Sequence, residues 1–313
     1  MRHYSVPIGL LALCGLLIHA SVVRAAPATW VSETGSNAGS CPITAPCKTF
    51  QFAHDRTDAG GTISVLSAGS YNRVTITKSI SIVADGVEGG IHGGGSIGAA
   101  IRIEAGPDDV VSLRGLSLDL RGTDNDGISF VSGGALHVLN CVIRKSRYGI
   151  LFNPASGATE LHVADTVIAN TRNEGIRFQP AGGASARATL ERIRIENSAA
   201  SGLIFGGTGT TGSVTAIVRD SVSAGATLGT GIQAQDSGSG TTVLMIERTA
   251  SVNNATGIVA FGAGTTIRIG DSTVTGNVTG LQIFNSGTIA SYGNNKVNGN
   301  GTEGVPNGSV AMK

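Results

Sequence analysis

One short element recurs along this chain: a glycine, a branched apolar residue, a variable residue and a further apolar one. It reads Gly127-Ile128-Ser129-Phe130, Gly149-Ile150-Leu151-Phe152, Gly175-Ile176-Arg177-Phe178 and Gly202-Leu203-Ile204-Phe205, then Gly231-Ile232-Gln233-Ala234, Gly257-Ile258-Val259-Ala260 and Gly280-Leu281-Gln282-Ile283. Ala100-Ile101-Arg102-Ile103 is a degenerate first member, and successive starts lie 27, 22, 26, 27, 29, 26 and 23 residues apart. A period of this length marks a stack of structural repeats, each of which buries its apolar face only against its neighbours.

Between these elements lie further period-two stretches, such as Leu136-His137-Val138, Leu161-His162-Val163 and Val214-Thr215-Ala216, often followed by a third apolar run such as Val167-Ile168 or Ile193-Arg194-Ile195. Each period therefore holds two or three short strands and no helical pattern, so there is no room for crossover helices. Equivalent strands must stack coil on coil, with apolar positions lining one interior and Gly and Asn at the corners. Asn170, Asn197, Asn254 and Asn277 stand where left-handed or bridging turn residues are needed. Composition fits: 47 glycines, 14% charged residues and 4% aromatics beside a 41% hydrophobic share imply a core of Ile, Val, Leu and Ala. A β-sandwich or jelly roll, the fold alternative, would put turns about every 8–12 residues without this longer register.

On this repeat the chain resembles the right-handed parallel β-helix proteins of the pectin-lyase-like superfamily, over roughly residues 60 to 297. The stretch from Cys41 to Phe50, with Ala53, is similar to the Pro-Cys-Lys-Thr-Phe segment that opens many bacterial members. The expected architecture is all-β: a single-chain solenoid whose open end is covered by a short N-terminal cap carrying Phe50 and Phe52. The expected divisions are a signal peptide at 1–25, an N-terminal strand and cap at 26–60, the β-helix at 61–297 and an irregular cap or tail at 298–313.

Arg2 followed by the apolar run Val6 to Ile18 and the small or branched Val23-Arg24-Ala25 reads as that signal peptide. The run is shorter than the roughly 20 residues that span a bilayer, so no membrane span is expected. Lipidation at Cys14 is disfavoured because Leu13 occupies a position where such signals carry a small residue. Export to the periplasm or the medium agrees with the cysteines: Cys41 and Cys47 flank a Pro-containing loop and pair naturally as a disulfide, whereas two thiols alone make a poor zinc site. Cys141 reads as a small buried core residue. A formal net charge of +1 excludes a strongly basic nucleic-acid binder. A monomer is expected.

Enzymes of the resembled superfamily act on polysaccharides through outward groups on adjacent coils. Here the outward column, Arg102, Ser129, Leu151, Arg177, Ile204, Gln233, Val259 and Gln282, holds no carboxylate and reads as a solvated or loop-covered face. Polygalacturonases place Asn-Thr-Asp, two adjacent Asp, Gly-His-Gly and Arg-Ile-Lys on successive segments. Asp124-Asn125-Asp126-Gly127 matches only the first; Arg147-Tyr148-Gly149 and Asn173-Glu174-Gly175 replace the next two, and Arg-Ile-Lys is absent. Asp165, Asp220 and Asp271 recur before apolar runs as turn residues, with a Ca²⁺ cluster as the alternative. His137 and His162 should stack on the outer face, where a metal pair competes with a plain surface ladder because the next coil supplies Thr189.

The candidate catalytic residues are Asp126, Glu174 and Tyr148, with Asp124, Arg147 and Arg172 as substrate-binding candidates. Asp126 and Glu174 stand two coils apart, roughly 10 Å by strand spacing. That favours the inverting geometry, with about 6.5–9.5 Å between carboxyls, if the chain hydrolyses a glycan. The sequence thus points to an exported, carbohydrate-interacting or surface scaffold protein without an identifiable catalytic set and with no cofactor. The alternative is a lyase or hydrolase acting on a uronate-containing glycan. Mass spectrometry of the exported protein should find a chain beginning near Ala26; an intact Met1 in the exported form would overturn the signal-peptide reading.

Overall fold

The computed structural model describes residues 25–93, 98–207 and 211–311; nearly all of the segment expected to be a signal peptide, residues 1–25, lies outside the described residues. The chain forms three parallel sheets of 12, 9 and 10 strands that wind into a β-solenoid. Each coil gives one strand to each sheet, so neighbours within a sheet are successive coils. Leu136 pairs with Leu161, Ile143 with Ile168, and Ile150 with Ile176, each in parallel register.

The recurring Gly-Ile-x-Phe element builds the 9-stranded sheet. Its first apolar column runs Ile101, Ile128, Ile150, Ile176, Leu203, Ile232, Ile258 and Leu281, and these side chains are almost wholly buried. The second column stacks aromatic rings, with Phe130 over Phe152 at 4.3 Å and Phe152 over Phe178 at 4.8 Å between centroids. Stacking like on like lets every coil bury the same shape, and each buried side chain of this size contributes roughly 1.5–3 kcal/mol.

The glycine of the element is required by close approach rather than by a turn. A Cβ at Gly149 would lie 2.4 Å from the Gly175 carbonyl oxygen and 2.5 Å from the Ile168 side chain; one at Gly127 would meet Gly149 and Ile143 in the same way. The true left-handed corners sit elsewhere. Between the 12- and 10-stranded sheets they are single residues: Asn140, Asp165, Arg192, Asp220, Arg248 and Asp271, with φ between 44° and 52°. After the 10-stranded sheet they are Lys145, Asn170, Asn197 and Asn253, with φ between 53° and 57°.

Asn170 and Asn197 therefore match their expected role, whereas Asn254 and Asn277 do not. Both are buried and form a ladder along the core. The Asn254 amide N–H and side-chain Nδ2 donate to Asn277 Oδ1 at 2.9 and 3.0 Å, and Asn277 repeats this toward Asn300 at 3.0 and 2.9 Å. Their side-chain amides satisfy backbone groups that the inner corner would otherwise bury unpaired. Asn-X-Thr triplets at Asn254 and Asn277 are thus structural, and neither side chain is open to glycosylation.

At the N-terminal end, Ala26–Val31 pairs in parallel with Thr57–Val65, and the short helix Phe50–His54 lies over the first coil. Thr49 caps this helix by accepting from the Phe52 N–H. Phe50 is fully buried against Tyr71, centroids 5.1 Å apart. A Cys41–Cys47 disulfide staples the preceding loop, its Cα atoms 5.0 Å apart. Such a bond belongs to an oxidising compartment, and no helix among the described residues is long and apolar enough to cross a membrane. The Gly-rich Gly89–His92 forms a strand of the 10-stranded sheet, with Gly90 packed where a Cβ would strike the Ser117 carbonyl. Near the C-terminus, Gly308–Ser309 adds a last strand to the 12-stranded sheet.

Ile176→Asp should abolish cooperative folding, since a lone carboxylate would enter the apolar column. Gln233→Asp, on the outward column of the same sheet, should shift the melting temperature by only a few degrees. Circular dichroism melts decide this; equal destabilisation by both changes would refute the inward–outward assignment.

Candidate functional site

The outward column of the 9-stranded sheet is in strict register from Thr75 through Arg102, Ser129, Leu151, Arg177, Ile204, Gln233 and Val259 to Gln282. Ser129, Ile204 and Val259 are nonetheless buried, so this face is recessed. Beside it, at the corner entering the sheet, the residues before each repeat glycine project Asp126, Tyr148 and Glu174 from three successive coils.

Asp126 is 4% exposed, and both its oxygens accept from Arg147 on the next coil, Nε to Oδ1 at 2.8 Å and Nη2 to Oδ2 at 3.0 Å. This bidentate pair raises the Arg147 pKa above its ordinary value. The Tyr148 ring meets two guanidinium groups, Arg147 at 5.1 Å and Arg177 at 5.8 Å from its centroid. Arg177 also donates from Nη1 to the Tyr148 hydroxyl at 3.3 Å and from Nε to Gln179 Oε1 at 2.5 Å.

Glu174 completes the group. Its Oε1 is 3.7 Å from Arg177 Nη1, beyond hydrogen-bonding range, and its buried Oε2 has no hydrogen-bond partner. Burial pushes the Glu174 carboxyl above the usual carboxylate range, with the Arg177 charge opposing incompletely. Two carboxylates expected to act as a pair are thus in different surroundings: Asp126 has both oxygens bonded by Arg147, whereas Glu174 is buried with one oxygen unpartnered.

Asp124 and Arg172 stand apart from this group. They form an exposed ion pair at 2.8 Å, and Arg172 also donates to the Gly122 carbonyl at 3.4 Å. Arg177 and Gln179 belong to the group although the sequence did not single them out as site residues. Their signal was present in Gly175-Ile176-Arg177-Phe178-Gln179, where outward positions two apart carry an arginine and an amide.

His137 and His162 stack in register on the 12-stranded sheet, centroids 5.9 Å apart and edge to face. Burial, then the neighbouring His162, holds the His137 pKa below its ordinary value. Thr189 follows them in register, and Glu191 Oε1 is 3.7 Å from His162 Nε2. Among the described residues no three His, Cys, Asp or Glu side chains converge as metal ligands. Asp165 and Asp220 instead take bidentate bonds from Arg192 and Arg248 of the following coils, at 2.7 and 2.9 Å and at 2.7 and 3.0 Å. These aspartates are charged corner residues, spread along the solenoid rather than gathered around a cation. Cys141 is buried and its thiol is pushed up to about 11, which keeps it an unreactive core residue.

Three parallel sheets wound coil on coil, with ionisable groups supplied to one outer strip by successive coils, define a β-helix protein. The chain belongs to the family described as the right handed beta helix region, whose model matches residues 126–302. No curated protein matches. Among solved structures, the A-module of the Azotobacter vinelandii mannuronan C-5 epimerase AlgE4 is 14% identical, with a TM-score of 0.39, covering 81% of this chain and 91% of that one. The AlgE6 A-module from the same organism is also 14% identical, with a TM-score of 0.30 over 81% and 90% of the two chains. The GH136 lacto-N-biosidase of Eubacterium ramulus is 9% identical, with a TM-score of 0.31 over 91% of this chain and 68% of that one. Similarity at this level carries nothing about chemistry, which must be argued from the side chains above.

A raised carboxyl pKa contributes stability that is present below the unfolded value, about 4.3, and is lost as pH rises through the folded value. Glu174→Gln should therefore melt higher than the parent at pH 8, and the difference should vanish near pH 4. A variant equally stable or less stable than the parent at pH 8 would show that Glu174 is not held against its charge.

Proposed function

We propose that this chain is an exported β-helix protein that binds an acidic, uronate-containing polysaccharide along the recessed outer strip of its 9-stranded sheet. The observation that carries this reading is the pair of guanidinium groups, Arg147 and Arg177, brought against the Tyr148 ring from adjacent coils. Planar guanidinium groups take carboxylates in bidentate fashion, and their anchoring by Asp126, Tyr148 and Gln179 pre-organises them at little further entropic cost. Glu174 approaches Arg177 only to 3.7 Å, so the Arg177 guanidinium is left without a close carboxylate partner.

A second reading has its own observation in the buried Glu174 carboxyl, whose Oε2 has no hydrogen-bond partner and whose pKa burial raises. A carboxyl held above its ordinary pKa beside a tyrosine and an arginine has the properties of a general acid toward a glycosidic oxygen. Asp126, with both oxygens engaged by Arg147, would then act by positioning that arginine rather than by activating water.

Calorimetric titration with oligogalacturonate and oligomannuronate should show binding that weakens with salt, and Arg147→Gln or Arg177→Gln should each lower affinity by about tenfold or more. Neutral glucan oligomers should not bind. Uronate binding by neither parent nor variants would sink the proposal, while unsaturated or reducing-end products lost in Glu174→Gln would establish the catalytic reading.

A further inference from the structure

The recessed strip does not end at Asp126. Two coils toward the N-terminus it opens into a recess of about 260 Å³ walled by Gln51 of the capping helix and by Arg73, Thr75, Gly98, Ala99 and Arg102. The recess adjoins the strip directly, because Ala99 pairs with Asp126, whose N–H donates to the Gly98 carbonyl.

Gln51 and Arg102 in its wall are committed to partners within the chain. Gln51 accepts from the Thr75 N–H at 2.8 Å and donates to Asp55 at 3.0 Å. Arg102 is paired to Glu104, Nη2 to Oε1 at 2.7 Å. Arg73 Nη2, by contrast, is buried with no hydrogen-bond partner, and no acidic group among the described residues forms an ion pair with Arg73. A guanidinium cannot shed its charge, so a buried N–H of this kind costs free energy that an acceptor delivered from outside would recover. Gly98 permits the arrangement: a Cβ there would stand 3.1 Å from Arg73 Nη1.

We propose that Arg73 forms a carboxylate-binding subsite at the capped end of the strip, taking the carboxylate of a uronate residue in the same chain that Arg147 and Arg177 engage. The assignment rests on the acidic-glycan reading and extends it to a polarity and a length. Arg177 and Thr75 are four register steps apart, or about 19 Å at the strand spacing. A pyranose repeat advances by a length close to one coil, so a glycan along the strip reaches Arg73 only when it is about five residues long.

The test uses the disulfide-intact chain, a galacturonate dimer and hexamer, and Arg73→Gln and Arg73→Lys variants with unchanged melting temperature. Arg73→Gln should weaken hexamer binding about tenfold and leave the dimer unchanged, with Arg73→Lys intermediate. A folded Arg73→Gln variant that binds hexamer like the parent would overturn the subsite. Should Arg73→Gln not fold, the Nε–H resonance of Arg73 in the parent protein decides: movement on titration with D-galacturonate supports the subsite and an unmoved resonance overturns it. The same titration separates this inference from the broader proposal, since movement by galacturonate without hexamer binding retains the subsite and refutes the long acidic glycan. A larger response to inorganic sulfate than to galacturonate would overturn the carboxylate assignment.

Discussion

Coil-on-coil pairing in unbroken parallel register is the constraint on which the rest of this protein depends. Because Ile128, Ile150 and Ile176 lie directly over one another, each coil must present the same inward shape as the last. The close approach of Gly127 to Gly149 and of Gly149 to Gly175 follows from that stacking, since these backbones touch side chains of the neighbouring 10-stranded sheet with no space for a Cβ. Glycine is thus fixed in the element by packing, and any residue with a side chain would push two sheets apart.

Stacking also dictates where polarity is tolerated. Corners repeat one above another, so whatever occupies a corner meets its own equivalents along the axis. On the outside this yields ion pairs in which an aspartate on one coil is answered by an arginine on the next, as with Asp165 and Arg192 or Asp220 and Arg248. Exposed pairs of this kind contribute little each, but alternation avoids like charges in contact. On the inside the same geometry admits the Asn254–Asn277–Asn300 ladder, where each side chain satisfies the backbone above it.

The strip at the 9-stranded sheet departs from both patterns. Asp126, Tyr148 and Glu174 occupy one corner position on three coils, yet they are neither a like-residue ladder nor a simple alternation of charge. One carboxylate is saturated by Arg147, one aromatic ring meets two cations, and one carboxyl is left buried with an idle oxygen. Arg73 Nη2, two coils above Asp126, is a further buried polar atom left without a partner near this face. Structure of that kind costs stability, and is the sort of exception that sites present.

By itself the sequence determined the solenoid, the inward and outward identity of residues in the repeat, and the disulfide of Cys41 and Cys47, because these follow from periodicity and spacing along the chain. It also brought Asp126, Arg147, Tyr148 and Glu174 into one neighbourhood, since equal positions in successive repeats must stack. It misjudged Asn254 and Asn277, whose neighbours Asn253 and Gly276 take the left-handed corner instead, a one-residue difference that periodicity does not resolve. Only the tertiary structure decided which carboxyl is fully paired and which is buried with an unpartnered oxygen. That depends on side-chain reach between coils and on burial: Arg147 reaches back to Asp126, while Arg177 stops short of a full bond to Glu174. The recess at Arg73 was likewise invisible in the sequence, because it is made where the capping helix, through Gln51, meets the edge of a sheet whose strands lie far from it along the chain.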